Sequence, residues 1–252
     1  MAALTDMCPK ALEFALFPGD ALDDSWVEKV SFHGPMAVHM QEKFKDGRLL
    51  DPASPNEGER LDAVKALKKN IDLAERLGAC SLIVHPGGVR KKPMGLDATP
   101  LIDSMEELKE YGGEHVELLI ENMPAIYWYK GELYSSCLFK DSREIASTLD
   151  ELGLGLCMDL CHAKLYCNAS GSDFNSYIRE LKPYIRHIHV SDARGTAEEG
   201  LQIGEGEIDF AGILPILRNL DVIAIPEILN GHLNAGEGFR IAADRLKKIG
   251  FF

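Results

Sequence analysis

The sequence lacks most of what would mark a secreted, membrane-embedded or nucleic-acid-coating protein. Cysteine is sparse, six in 252 residues, and no two form a C-x-x-C pair, which excludes a disulfide scaffold and a zinc ribbon. The thiols are expected to be reduced and mostly buried. No stretch approaches the ~18 apolar residues of a membrane span. The opening MAALTDMCPKALEFALF has no basic segment ahead of an apolar one, so a cytoplasmic protein away from the membrane is expected. Positive charge is in deficit: 27 Lys and Arg against 40 Asp and Glu leave a net charge of −13, which weighs against a broad phosphate-binding face. The acidic excess suits a cation site, because clustered carboxylates are tolerated best where a metal neutralises them. No Ser/Gly-rich linker or shift of composition divides the chain, which predicts one domain over residues 1–252.

What is present is a regular alternation of short apolar runs with amphipathic stretches, the pattern of repeated βα units around a parallel sheet. Seven runs read as strands: residues 12–17 (LEFALF), 30–33 (VSFH), 81–85 (SLIVH), 117–121 (ELLIE), 154–159 (LGLCMD), 186–191 (RHIHVS) and 222–227 (VIAIPE). Helical spacing predicts helices over 60–77, 101–111, 142–152, 174–181, 210–220 and 238–249. The fold class is therefore α/β, a TIM-type (β/α) barrel. No complete βα unit fits before the first run, so the barrel is expected to be incomplete or seven-stranded with its usual first strand missing, the alternative being a weak strand that escapes the pattern.

The distinguishing feature is where His, Asp and Glu fall. The second to seventh runs carry His33, His85, Glu121, Asp159, His189 and Glu227 at or near their ends. In a parallel barrel the carboxyl ends of all strands open on one face, so six donors converge on one mouth. Each alone reads as a hydrogen-bonded histidine, a helix cap or a lysine partner. Together they would be costly to bury unpaired, and three imidazoles with three carboxylates form a ligand set for Zn²⁺, Mn²⁺ or Fe²⁺.

The strand-end motifs FHGP (32–35), VHPGG (84–88), LIENMP (119–124), CMDLCHA (157–163), HIHVSDARG (187–195), GEGEIDF (204–210) and PEIL (226–229) resemble, in order, those of the xylose-isomerase-like TIM-barrel superfamily. That group contains sugar-phosphate isomerases and epimerases and the endonuclease IV type of abasic-site nuclease. The resemblance runs from about Leu12 to the C-terminus. It implies a four-ligand site of Glu121, Asp159, His189 and Glu227. It also implies a second ion held by His33, His85 and a bridging Glu121, with Zn²⁺ or Mn²⁺ as the cofactor, one ion or two. His162 matches a residue that touches substrate in the epimerases or binds a third metal in the nucleases.

Two chemistries follow. Isomerisation or epimerisation of a small sugar or sugar phosphate needs a base and an acid flanking a metal-stabilised enediolate, roles assigned to Glu121 and Glu227, with His162 beside them. Gly87, Gly88 and Arg90 are expected to receive a phosphate or carboxylate, and Trp128, between Tyr127 and Tyr129, to cover the sugar. The alternative, an endonuclease IV-like phosphodiesterase, meets three departures. Glu198, Glu199 and Gly200 stand where the nucleases have Asp-x-His. Asp20, Asp23 and Asp24 occupy a loop expected to contact DNA. Gly34, Pro35 and Met36 offer no aromatic wedge. Nucleic acid is thus an unlikely partner. A non-catalytic sugar-binding barrel is the third reading, and a homo-oligomer is compatible with all three.

Overall fold

The computed structural model describes residues 8–20 and 25–251. Its centre is a seven-stranded parallel sheet in the order β1 (Leu12–Ala15), β2 (Met36–His39), β3 (Ser81–Val84), β5 (Glu117–Glu121), β8 (Gly155–Asp159), β9 (Ile185–Val190), β12 (Ile223–Pro226). Helices α1 (Glu57–Leu77), α2 (Thr99–Gly112), α3 (Ser142–Leu152), α4 (Leu160–Ser170), α5 (Phe174–Leu181), α6 (Phe210–Leu217) and α7 (Leu233–Lys248) connect the strands. This is a nearly closed α/β barrel of the TIM type. Among the described residues β1 pairs only with β2 and β12 only with β9, so the place of the expected eighth strand is a gap. A groove of about 1280 Å³ occupies it, reaching Glu13, Leu119 and Ile188 between Leu12 on one side and Ile223 and Ile225 on the other. No helix of the described residues is long and apolar enough to cross a membrane.

Local chemistry explains the elements. Helix α1 starts where the Asn56 side chain accepts the Glu59 N–H and stops at Gly78, whose left-handed φ of 68° a Cβ would penalise. The strands alternate with period two, so one set of side chains packs outward under the helices and the other fills the bore. The bore has two layers. Ala37, Ile83, Leu119 and Cys157 form a buried plug, and one step further along each strand come His39, His85, Glu121 and Asp159. The plug excludes water from below and leaves the upper layer facing the mouth.

The second strand differs from the expectation. Residues 30–33 are not a strand and His33 is exposed, whereas the four residues of β2 are all buried and pair with both β1 and β3. Gly34–Pro35 reads as the turn that ends a strand; instead it precedes one, and the Pro35 carbonyl accepts the Leu12 N–H. Helix α4 was not expected, because its buried positions 160, 161, 163, 165 and 167 do not follow helical spacing. Helix α7 begins at Leu233, but Asn234, Ala235 and Gly236 are left-handed, so regular helix starts close to the expected residue 238. Two small sheets also lie beyond the barrel: β4 (Val89–Arg90) with β7 (Glu132–Ser136) and β6 (Ile126–Tyr129), and the hairpin of β10 (Asp192–Arg194) and β11 (Glu198–Leu201).

Candidate metal centre and active site

Glu121 is the hub of the mouth. Its carboxylate is 1% exposed, with Oε2 3.3 Å from His39 Nε2, 3.4 Å from His85 Nε2 and 3.5 Å from His189 Nδ1, and Oε1 3.2 Å from His162 Nδ1. Burial alone would raise its pKa, but His189 and His85 outweigh burial and hold it well below the usual carboxylate range. Asp159 is the converse: burial dominates and pushes it up to about 7. Glu227 Oε2 stands 3.1 Å from His189 Nδ1, with its side chain half exposed. The cost of desolvation there is overcome by His189, which holds Glu227 below its ordinary value. Two donor groups result, His39 with His85 and Glu121, and Glu121 with Asp159, His189 and Glu227, each with its donor atoms within 4.8 Å of one another.

The residues fit divalent cations on physical grounds. His39 Nδ1 lies 3.0 Å from the Met40 carbonyl, which can only accept, so Nδ1 carries the proton and the neutral ring turns the Nε2 lone pair toward Glu121. His189 Nε2 lies 3.1 Å from Glu13 Oε2, and its Nδ1, fully buried without a hydrogen-bond partner, faces the carboxylates of the mouth. Facing lone pairs repel unless a proton or a cation lies between them. In the metal-free protein protons fill that role: burial pulls His39 down, but Glu121 prevails and lifts it to about 9, and His162 and His189 are likewise raised. Divalent ions at the two donor groups would replace those protons.

Asp159 has two duties. It ends β8 and caps α4, accepting the His162 N–H at 2.6 Å, and so places His162 one turn into the helix and over the mouth. Asn122 locks this arrangement: its Oδ1 accepts the Asp159 N–H at 2.8 Å, its Nδ2 donates to the Asp159 carbonyl at 3.0 Å, and its own carbonyl lies 3.0 Å from His162 Nδ1.

The structure thus brings together His85, Glu121, Asp159, His162, His189 and Glu227. His33 is not among them, and His39 takes its place. Gly88 donates its N–H to Asp51 Oδ1 at 2.8 Å and Arg90 reaches Asp51 Oδ2 at 2.6 Å, so the turn of Gly87 and Gly88 has an internal anion. Trp128 is 48% exposed on the β6–β7 hairpin, and its Nε1 donates to the Ala197 carbonyl across the mouth at 3.4 Å. Tyr127 is buried edge-on to His85. The pocket beside His85, lined by Glu42, Asp51 and Tyr127, has about 30 Å³, room for about one water. Asp20 accepts the Phe17 N–H at 2.7 Å; Asp23 and Asp24 lie outside the described residues.

Four contributors were missed at the sequence level. His39 was hidden behind His33. Glu13 could have been found as the lone charge inside LEFALF. Asn122 lies in a motif that was noted but given no role. Glu199, seen only as a departure from the nuclease pattern, lies on β11 among His162, Glu227, Glu42 and His85, and burial raises its pKa.

The fold and the site define the class: an α/β barrel of the TIM type with buried His and carboxylate groups at the carboxyl ends of its parallel strands. Within that class the chain belongs to the xylose isomerase-like TIM barrel family, whose model matches residues 21–249. Among its relatives, the uncharacterised protein MJ1311 of Methanocaldococcus jannaschii is 26% identical over 234 residues, covering 90% of this chain and 71% of that protein. A probable endonuclease 4 of Aquifex aeolicus is 26% identical over 208 residues, covering 77% and 70%. Solved structures with the same fold include a D-tagatose 3-epimerase-like protein (TM-score 0.68, 22% identity, 96% and 90% covered). An L-ribulose 3-epimerase is similar (TM-score 0.70, 17% identity, 99% and 86% covered).

Proposed function

We propose that the protein is a divalent-metal-dependent isomerase or epimerase of a small sugar or sugar phosphate. The observation that carries this reading is the position of Glu227, a half-exposed carboxylate attached to an otherwise sealed cluster. A Zn²⁺ or Mn²⁺ ion held by Glu121, Asp159, His189 and Glu227 would supply the Lewis acidity that makes a carbon next to a carbonyl acidic. Glu227, ionised at neutral pH, is the group a substrate can reach, and it takes the carbon-bound proton. Glu121 is sealed beneath four imidazoles and serves as the shared ligand rather than as the partner acid. The group on the other side is Glu199, whose pKa burial raises above the ordinary carboxylate value, which suits it to carry the returning proton. His162, fixed by Asp159 and Asn122, orients a substrate hydroxyl.

A phosphodiesterase is the second reading, favoured by the His39–His85–Glu121 group, which a single-ion epimerisation does not need, and by the relatives named endonuclease 4. Against it, Glu42 and Glu199 stand near the mouth, where a phosphodiester would meet like charge. Incubation in D₂O with a panel of ketoses, aldoses and their phosphates tests the proposal. Exchange of a carbon-bound proton for deuterium is expected in the metal-loaded protein and should vanish in Glu227→Gln. Incision of an abasic-site duplex without exchange would favour the second reading, and binding without exchange a non-catalytic barrel.

A further inference from the structure

A phosphate or carboxylate is recognised by backbone N–H groups and a cation that are free to meet it. The turn after β3 offers both, and both are taken. The Gly88 N–H donates to Asp51 Oδ1 at 2.8 Å, and Arg90 Nη1 donates to Asp51 Oδ2 at 2.6 Å. Each oxygen of one carboxylate thus meets one donor, the pairing that an anionic ligand would otherwise make. The turn is shaped around that carboxylate: Gly87 and Gly88 have φ of 78° and 71°, and a Cβ on Gly87 would fall 2.2 Å from Asp51 Oδ1. Asp51 is also at the mouth. It lines, with Glu42, Gly87 and Tyr127, the pocket beside His85, whose Nε2 is 3.4 Å from the hub carboxylate of Glu121.

We propose that Asp51 is a specificity-determining residue: its carboxylate fills the anion position of the Gly87–Gly88 turn from within the chain and restricts the mouth to sugars that carry no phosphate. The inference rests on the sugar reading above and narrows it to neutral polyols. Charge is the first reason. Arg90 is matched by Asp51, the neighbouring Lys43 has its Nζ 3.8 Å from Glu42 Oε2, and Glu199 and Glu227 add further acid. A phosphate dianion there meets like charge in a partly buried site, where water screens it less. Size is the second. The pocket of about 30 Å³ takes one hydroxyl, the size of a water, and not the three free oxygens of a phosphoryl group. A neutral polyol is matched on both counts, because its O–H groups donate and the carboxylates of Asp51 and Glu42 accept. An ionised carboxylate has about four lone-pair sites, so Asp51 can hold the turn and a sugar hydroxyl together.

Calorimetric titration of the full chain with inorganic phosphate tests the assignment apart from any turnover, with the protein metal-free so that phosphate cannot bind an ion at the mouth. Asp51→Ala vacates the anion position and leaves Gly88 and Arg90 unmet. It should bind phosphate about 10–100-fold more tightly than the wild type, the worth of a hydrogen bond to a charged group, and the double variant Asp51→Ala with Arg90→Ala should lose the gain. If Asp51→Ala does not fold, Asp51→Asn also leaves Arg90 without its charge partner and gives the same comparison. An affinity unchanged in the Asp51 variant would mean that the carboxylate only fastens the turn, and would overturn the proposal. A gain that survives the loss of Arg90, or tighter binding of fructose 6-phosphate than of fructose by the wild type, would overturn it as well. Failure of deuterium exchange with every sugar would remove the isomerase reading and leave the phosphate result intact.

Discussion

Metal binding at the mouth should expel protons, and the number can be worked out from the cluster. In the metal-free protein His39 titrates at about 9, because Glu121 stabilises the imidazolium more than burial penalises it. At pH 7 such a group is ~99% protonated, so a cation that needs its neutral Nε2 binds ~100-fold more weakly than above pH 9, about 2.7 kcal/mol. Asp159, at about 7, carries roughly half a proton at neutrality and must release it as well. These two groups alone give ~1.5 protons per fully loaded site at pH 7, and His189, raised in the same direction, adds to the count. The sign follows from the raised values: affinity climbs as pH rises from 6, and the contribution of His39 levels off above about 9. Titration calorimetry with Zn²⁺ or Mn²⁺ at pH 7, in two buffers of different ionisation enthalpy, reads the proton count directly. His39→Asn should lower it by about one. Equal heats in both buffers, with affinity unchanged between pH 6 and 8, would refute the reasoning.

Two further outcomes separate the site from its surroundings. His39→Ala should cost about 10–100-fold in affinity for an ion beside His85, whereas His33→Ala, at an exposed position, should leave metal content unchanged; elemental analysis of the two variants decides this. Asp192→Ala should destabilise the fold by about 3–5 kcal/mol, because this fully buried carboxylate accepts the N–H groups of Ala193, Gly204, Gly206 and Ile208. A denaturation midpoint close to that of the wild type would show that the loop finds other acceptors.

The barrel strands were legible because a parallel strand buried on both faces is a nearly continuous apolar run, and such runs stand out between amphipathic helices. The donors at five of the six strand ends were legible for the same reason: an ionisable residue that closes an apolar run has nowhere to go but the mouth. His39 shows the limit. Both FHGP and MAVHM offer an apolar stretch ending in histidine, and only pairing with β1 and β3 separates them. The β6–β7 hairpin was missed because its strands are short and partly exposed, although Lys130 and Gly131, both at positive φ, form the two-residue turn that such a hairpin requires. Glu13 and His187 belong to a class that sequence reading discounts. Each lies inside a run rather than at its end, and the contact between them spans residues far apart in the chain.

The gap between β1 and β12 among the described residues bears on how the site is held in place. The proposed mouth ligands come from β2, the end of β3, β5, β8, β9 and the end of β12, so none of them depends on a strand in the gap. Among the described residues no ladder of hydrogen bonds is formed on either side of the gap, and β1 pairs only with β2. Glu13 lies on that strand and is the residue that aligns His189, so an edge free to slide would misplace a proposed ligand from a distance. The position of β1 therefore bears on the mouth as well as on stability. Glu13 Oε2 reaches across the bore to His187 Nε2 at 2.8 Å and His189 Nε2 at 3.1 Å, and these contacts tie the edge strand to β9 in the register that the mouth requires.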